Sequence, residues 1–209
     1  MKKTLLTLIV LAFFGIANAQ IKEKGTIEIT PKIGYSFFQE ITDDGKTDSN
    51  SGVAFGATAD YYFNSRWSLR SGLLFNKMGG RYSKLIINNN VMVPYSTTYY
   101  YEDKLNYVSI PLNANWHFGS TRKWNLNFGA SPSFLLSAKM NDEEIPSSII
   151  KSFQLGLSFG IGYKIEINQK FGILIDYQVF SGLTNISNVA GFDSRNAGDS
   201  INIGAVIEL

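Results

Sequence analysis

Any chemistry done by this chain would have to use few of the usual groups. It has one histidine, His117, and no cysteine. A Ser-His-acid hydrolytic set would need that single imidazole, and no metal site built on Cys and His spacing can be written. Gly160-x-Gly162 has Ile165 where a nucleotide-binding loop needs its third glycine, and no helix pattern follows. Basic and acidic side chains number 19 and 17. Setting aside Lys2 and Lys3 leaves the two signs equal, which gives no bias toward nucleic acid or an acidic ligand. Two groups of residues remain. The charges Glu28, Lys32, Asp60, Arg70, Lys164, Glu166, Asp176 and Glu208 could line an ion or proton path, or could neutralise one another. The tyrosines Tyr95, Tyr99, Tyr100 and Tyr101 could form a contact surface, since tyrosine makes efficient interfaces.

What these residues do depends on the elements that hold them. Phe153-Gln-Leu155-Gly-Leu157-Ser-Phe159-Gly-Ile161-Gly-Tyr163-Lys-Ile165 alternates a large apolar residue with a polar residue or glycine. That period belongs to a β-strand with two unlike faces. It recurs seven more times, around Ile27 to Phe37, Val53 to Phe63, Trp67 to Phe75, Val108 to Phe118, Trp124 to Leu136, Ile173 to Val179 and Ile201 to Leu209. The expected fold is all-β, an eight-stranded antiparallel up-and-down transmembrane β-barrel, with the apolar set against lipid and the polar set inside.

The connections alternate in length. Asn64 to Arg66, Gly119 to Lys123 and Asn168 to Lys170 are short. Gln39 to Ser51, Gly79 to Lys104, Lys139 to Ile150 and Thr184 to Gly198 are long. Short turns at one end and long loops at the other match outer-membrane barrels, where the short turns are periplasmic. Residues 1–19 read as a signal peptide: Lys2 and Lys3, an apolar run from Leu5 to Ile16, then Ala17-Asn18-Ala19 at the cleavage site. Residues 20–209 would then be the barrel domain, and Asn202 to Leu209 resembles a terminal strand read by the barrel assembly machinery. The expected location is the cell outer membrane, with both mature termini in the periplasm. Phe63, Trp67, Trp116, Phe118, Trp124 and Phe171 flank the short turns, where an aromatic belt belongs.

Parity supplies the sharpest constraint. All eight charges named above share the inward parity, as they must, because a lipid-facing Lys or Arg at mid-membrane costs ~2–4 kcal/mol. Lys77 has the outward parity but lies near the long second loop. If Ser65 centres the first turn, Asp60 falls opposite Arg70; if Gln169 centres the last, Lys164 falls opposite Leu174 and diagonal to Asp176. The cluster Asp60, Arg70, Lys164 and Asp176 is therefore expected to plug a narrow interior. Pro31, Pro111 and Pro132 lie inside strands and are expected to mark bulges or bends. In the second loop, Lys84 to Val93 reads as two β-prone runs about an asparagine turn. The expectation is a sheet protruding above the bilayer, with the tyrosines packed on it or offered to a partner.

Tyr107-Val-Ser-Ile-Pro-Leu112, Gly129-Ala-Ser-Pro-Ser-Phe134 and Ile175-Asp-Tyr-Gln-Val-Phe-Ser-Gly-Leu-Thr-Asn185 resemble segments of the PorT-like outer-membrane β-barrel domain family of Bacteroidetes-type bacteria. The resemblance covers essentially the whole mature chain. It implies an eight-stranded outer-membrane barrel, usually without assigned activity, with one branch in protein secretion and gliding motility. A barrel hydrolase that deacylates lipopolysaccharide is similar in size and shape but acts near the outer leaflet, the end opposite His117. His117 is therefore expected to face periplasmic water. The sequence points to a non-enzymatic structural or surface-binding protein, or to an accessory of secretion or small-solute transport. No cofactor, metal or nucleic acid is expected. The expected partners are outer-membrane lipid, the assembly machinery during biogenesis, and a surface or secretion partner.

Overall fold

The computed structural model describes residues 22–88 and 95–209. The expected signal peptide and the tip of the second loop lie outside the described residues, as does the side chain of Tyr95.

The described chain forms twelve strands and no helix. In order they are β1 (Ile27–Thr42), β2 (Gly45–Lys46), β3 (Asp48–Asn64), β4 (Trp67–Met78), β5 (Gly80–Asn88), β6 (Tyr95–Ser109), β7 (Leu112–Phe118), β8 (Trp124–Met140), β9 (Glu143–Glu144), β10 (Phe153–Glu166), β11 (Phe171–Gly182) and β12 (Ser194–Glu208). Every pairing is antiparallel, and the sheet closes on itself. β12 pairs with both β11 and β1, β1 with β3, β3 with β4, β4 with β6 and β7, these with β8, β8 with β10, and β10 with β11. A closed ring leaves no unpaired edge within the wall, which hydrocarbon requires.

The ring therefore holds more strands than the eight read from alternation, for local reasons. Gly79, at a φ of 103°, separates β4 from β5. Ile110 and Pro111 separate β6 from β7. β2 and β9 are two-residue strands that fold back on β1 and β8.

The prolines act differently from expectation. Pro111 and Pro132 sit at one break in one ladder. The register Ser109 with Ser133 resumes unshifted as Leu112 with Ala130, and Ile110 N donates to Pro132 O at 2.9 Å. Pro31 keeps its pairing with Ala57 while the β1–β12 ladder is interrupted beside it. Each proline costs a donor without shifting the register. The register shifts fall elsewhere, at Tyr62/Asn64 and Asn106/Tyr107.

The two faces separate as the alternation requires. Ile33, Val53, Phe55, Leu73, Leu112, Phe128, Phe159, Ile175 and Ile203 are among the exposed large apolar side chains of the outer wall, an area no water-soluble surface carries without a partner. At the short-turn end Trp67, Trp116, Phe118 and Trp124 stack in sequence at centroid distances of 6.2, 5.1 and 6.3 Å, and Tyr163 packs tilted on Trp124 at 4.8 Å. The inner face is buried and mostly polar, and it is tightly curved. A Cβ on Gly72 would lie 2.2 Å from the Ala57 carbonyl oxygen, and one on Gly160 would lie 2.2 Å from the Gln178 amide nitrogen. Only glycine lets the wall and the filling approach that closely.

Candidate functional site

The interior is organised in layers along the barrel axis. At the short-turn end, Glu28 accepts from Lys164 at 2.9 Å, lies 3.1 Å from Lys22 and accepts from the Tyr62 hydroxyl at 2.9 Å. Lys22 also pairs with Glu208, and Lys123 with Glu166 at 3.7 Å. Glu166 and Glu208 sit at the rim, half-buried, rather than deep inside.

The next layer is built on Asp60 and Arg70, which face one another across β3 and β4 as the turn geometry predicts. Arg70 Nε donates to both Asp60 oxygens, at 3.2 and 3.0 Å, and Nη2 lies 3.0 Å from Oδ2. Ser68 and Asn115 also donate to Asp60, at 2.9 and 2.8 Å. Asp176 accepts from Lys32 at 3.2 Å and lies 3.9 Å from Arg70. Lys164 does not pair with Asp176: its partner is Glu28 on β1, with β11 and β12 lying between along the ring. Register neighbours matter less than expected because long side chains cross a lumen this narrow.

His117 does not face water. It is 5% exposed, stacks on Tyr62 at 4.7 Å, and its Nε2 lies 2.9 Å from Ser68 Oγ. Ser68, His117 and Asp60 are thus neighbours, but they are not wired as a hydrolytic relay. Ser68 bridges the other two instead of standing at one end, and at 1% exposure it meets no substrate.

Above the ion pairs lies a cavity of about 60 Å³ lined by Lys32, Arg70, Thr58, Asn113, Ser131 and Gln178, room for a few waters at the ~10–15 Å³ each occupies. It is capped by an apolar plug that parity alone hid, formed by Phe38, Met78, Leu105, Tyr107, Phe180 and Ile186. Five of these are inward positions where the sequence promised polar residues. Ile186 comes from the last long loop, tied down by Ile186 N to Ser194 O at 2.8 Å and Lys151 N to Ile186 O at 2.7 Å. Inward apolar residues at the long-loop ends of β1, β4, β6 and β11 were the available signal.

Beyond the plug, β5 and β6 continue as a hairpin from Arg81 with Glu102 to Asn88 with Tyr95. It joins the rest of the sheet on the β3 side only through Asp48 and Ser49. Leu85, Ile86 and Ile87 are exposed, as are Tyr99 and Tyr100, the last at 77%. Tyr101 instead stacks on Tyr82 at 5.1 Å. Tyr99 and Tyr101 share one hairpin face and Tyr100 takes the other, so the tyrosines form no single patch. Among the described residues no group of three or more His, Cys, Asp and Glu side chains converges as a metal site would.

A closed antiparallel ring with an apolar exterior, an aromatic belt and a polar interior crossed by ion pairs defines an outer-membrane β-barrel. The chain belongs to the outer membrane protein beta-barrel domain family, which matches residues 18–188, and its place is the outer membrane. No curated protein matches it. Among solved structures it is similar to OprG of Pseudomonas aeruginosa, at 13% identity and a TM-score of 0.49, covering 90% of this chain and 97% of that one. It is also similar to Ail, the attachment invasion locus protein of Yersinia pestis, solved with the heparin analogue sucrose octasulfate, at 16% identity and a TM-score of 0.43, covering 87% and 99%. Neisserial surface protein A is similar at 14% identity and a TM-score of 0.45, covering 84% and 95%.

Proposed function

We propose that the protein is an eight-staved, internally plugged outer-membrane barrel with a structural or surface-binding role and no enzymatic activity. Counting β4 with β5 and β6 with β7 as interrupted staves, and leaving out the two-residue β2 and β9, reduces the ring to eight. Within the family the chain sits with the PorT-like barrels. Its three motifs act structurally here: Tyr107 and Phe180 are in the plug, Pro111 and Pro132 share one ladder break, and Asn185 Oδ1 accepts from Ser187 N and Ser194 N at 2.7 and 3.1 Å. The short turns and both mature termini face the periplasm. Assembly uses the barrel assembly machinery, and outer-membrane lipid covers the apolar wall.

The observation that carries the surface role is the β5–β6 hairpin. It sets Leu85, Ile86, Ile87 and Tyr100 in solvent beyond the ring, where exposed strands with apolar and tyrosine side chains recruit partners. Replacing residues 82–101 with a short turn should leave insertion intact and remove binding to the surface partner recovered by crosslinking from intact outer membranes. Unchanged recovery of that partner by the shortened barrel would contradict the reading. Cysteines placed at Ser83 and Ser65 test orientation: only the first should react with an impermeant maleimide on whole cells.

A further inference from the structure

Five carboxylates on the inner face are buried: Glu28, Glu40, Asp60, Asp103 and Asp176. Three have a basic partner within 4 Å: Lys164 for Glu28, Arg70 for Asp60 and Lys32 for Asp176. Glu40 and Asp103 have none among the described residues, and they are the two that stand together at the long-loop mouth, above the apolar plug. Gly79 lies between them: its N donates to Asn196 Oδ1 at 3.2 Å, Asn196 stands opposite Glu40 in the β1–β12 ladder, and a Cβ on Gly79 would lie 3.5 Å from Asp103 Cβ.

The hydrogen bonds beside them come from neutral groups. Ser194 Oγ donates to Glu40 at 2.7 Å, and the Asn50 amide donates to the Asp103 carbonyl rather than to its carboxylate. Asp103 is 8% exposed, and its Oδ1 is buried without a hydrogen bond; the fully buried Tyr107 hydroxyl at the top of the plug is likewise unbonded. Burial, then repulsion from Glu40, pushes the Asp103 carboxyl up to about 7, and burial raises Glu40. Burial and the two carboxylates push the nearby Tyr82 hydroxyl up to about 12. An uncompensated pair of buried carboxylates is costly. Elsewhere in this lumen that cost is met by a lysine or arginine.

We propose that Glu40 and Asp103 hold a hard divalent cation of the Ca²⁺ type at the long-loop mouth, with Ser194 and the phenol oxygens of Tyr82 and Tyr107 as neutral neighbours. The ion replaces the missing basic side chain and joins β1, β6 and the start of β12. Two carboxylates are fewer than a tight calcium site uses, so affinity falls in the ~0.1–1 mM class of extracellular modules.

The probe is Tb³⁺, which takes Ca²⁺ sites and is sensitised by tyrosine. Folded, detergent-solubilised full-length protein is titrated with Tb³⁺ under tyrosine excitation, then with Ca²⁺. Saturable emission that Ca²⁺ displaces is expected, at least about tenfold weaker in affinity for E40Q or D103N and absent in the double variant. Emission unchanged in the double variant overturns the proposal. If a variant does not fold, the unmodified protein decides: 5 mM Ca²⁺ should raise its Tm, and no rise together with no saturable emission overturns the site.

Discussion

Replacing Arg70 with methionine removes the cation that holds the central layer. Arg70 is 4% exposed and Asp60 2%, so water does not screen the change. The guanidinium makes three contacts of 3.0–3.2 Å to Asp60 and one of 3.9 Å to Asp176. Without it Asp60 keeps only Ser68 and Asn115 as donors, while Asp176 keeps Lys32. Leaving one partner of a buried pair uncompensated costs about 3–5 kcal/mol. At ~3 kcal/mol per molar guanidinium, the unfolding midpoint should fall by about 1–1.7 M. Unfolding from lipid vesicles can be followed through the belt tryptophans Trp67, Trp116 and Trp124, which leave lipid as the wall opens. D60N should also destabilise, because Asp60 accepts from three side chains. The double variant D60N/R70M should be more stable than the sum of the single losses by about 2 kcal/mol, the coupling of groups in one network. Single changes within about 0.5 kcal/mol of the parent, or strictly additive losses, would refute a structural ion pair.

Lys164→Met should destabilise more than Lys123→Met, because Lys164 compensates the deeply buried Glu28 while Lys123 sits near the rim; equal midpoints in the same unfolding assay would contradict that ranking. Phe180→Ala should cost about 3–5 kcal/mol as a core truncation, read as a lower midpoint. Asp103 protonates more readily in the folded barrel, at about 7, than in the unfolded chain, near 3.8. The folded state therefore binds the extra proton between those values, and in metal-free buffer stability should fall as pH rises from about 4 to 7. In D103N that slope should shrink, as read from Tm against pH; an unchanged slope would place the titration elsewhere.

Much of this was legible in the alternation. Period two identified the wall, its lipid-facing side and the inward place of Glu28, Lys32, Asp60, Arg70, Lys164 and Asp176, because hydrocarbon tolerates no exceptions to that sorting; the buried Glu40 and Asp103 fell in stretches read as long loops. Turn position gave the Asp60–Arg70 register, since a short hairpin fixes which residues oppose. Lys164 was assigned the wrong partner because pairing across a lumen depends on curvature and side-chain length, which sequence neighbours do not encode. His117 looked turn-proximal and wet, but its odd parity aimed it inward onto Tyr62. The apolar plug was missed for a related reason. Phe38, Leu105, Tyr107 and Phe180 lie at inward positions, and Ile186 reaches them from a loop whose path no periodicity describes. The strand count differed because Pro111 interrupts hydrogen bonding without interrupting the alternation, Gly79 divides β4 from β5, and β2 and β9 are two-residue strands within stretches read as loops.

A lumen filled by crossing ion pairs and capped by an apolar plug should not conduct. Single-channel recording of the purified, refolded protein in a planar bilayer is the direct test. A silent membrane, with insertion verified by protease protection, is the expected result. Steady, discrete conductance steps from the unmodified chain would contradict a plugged interior.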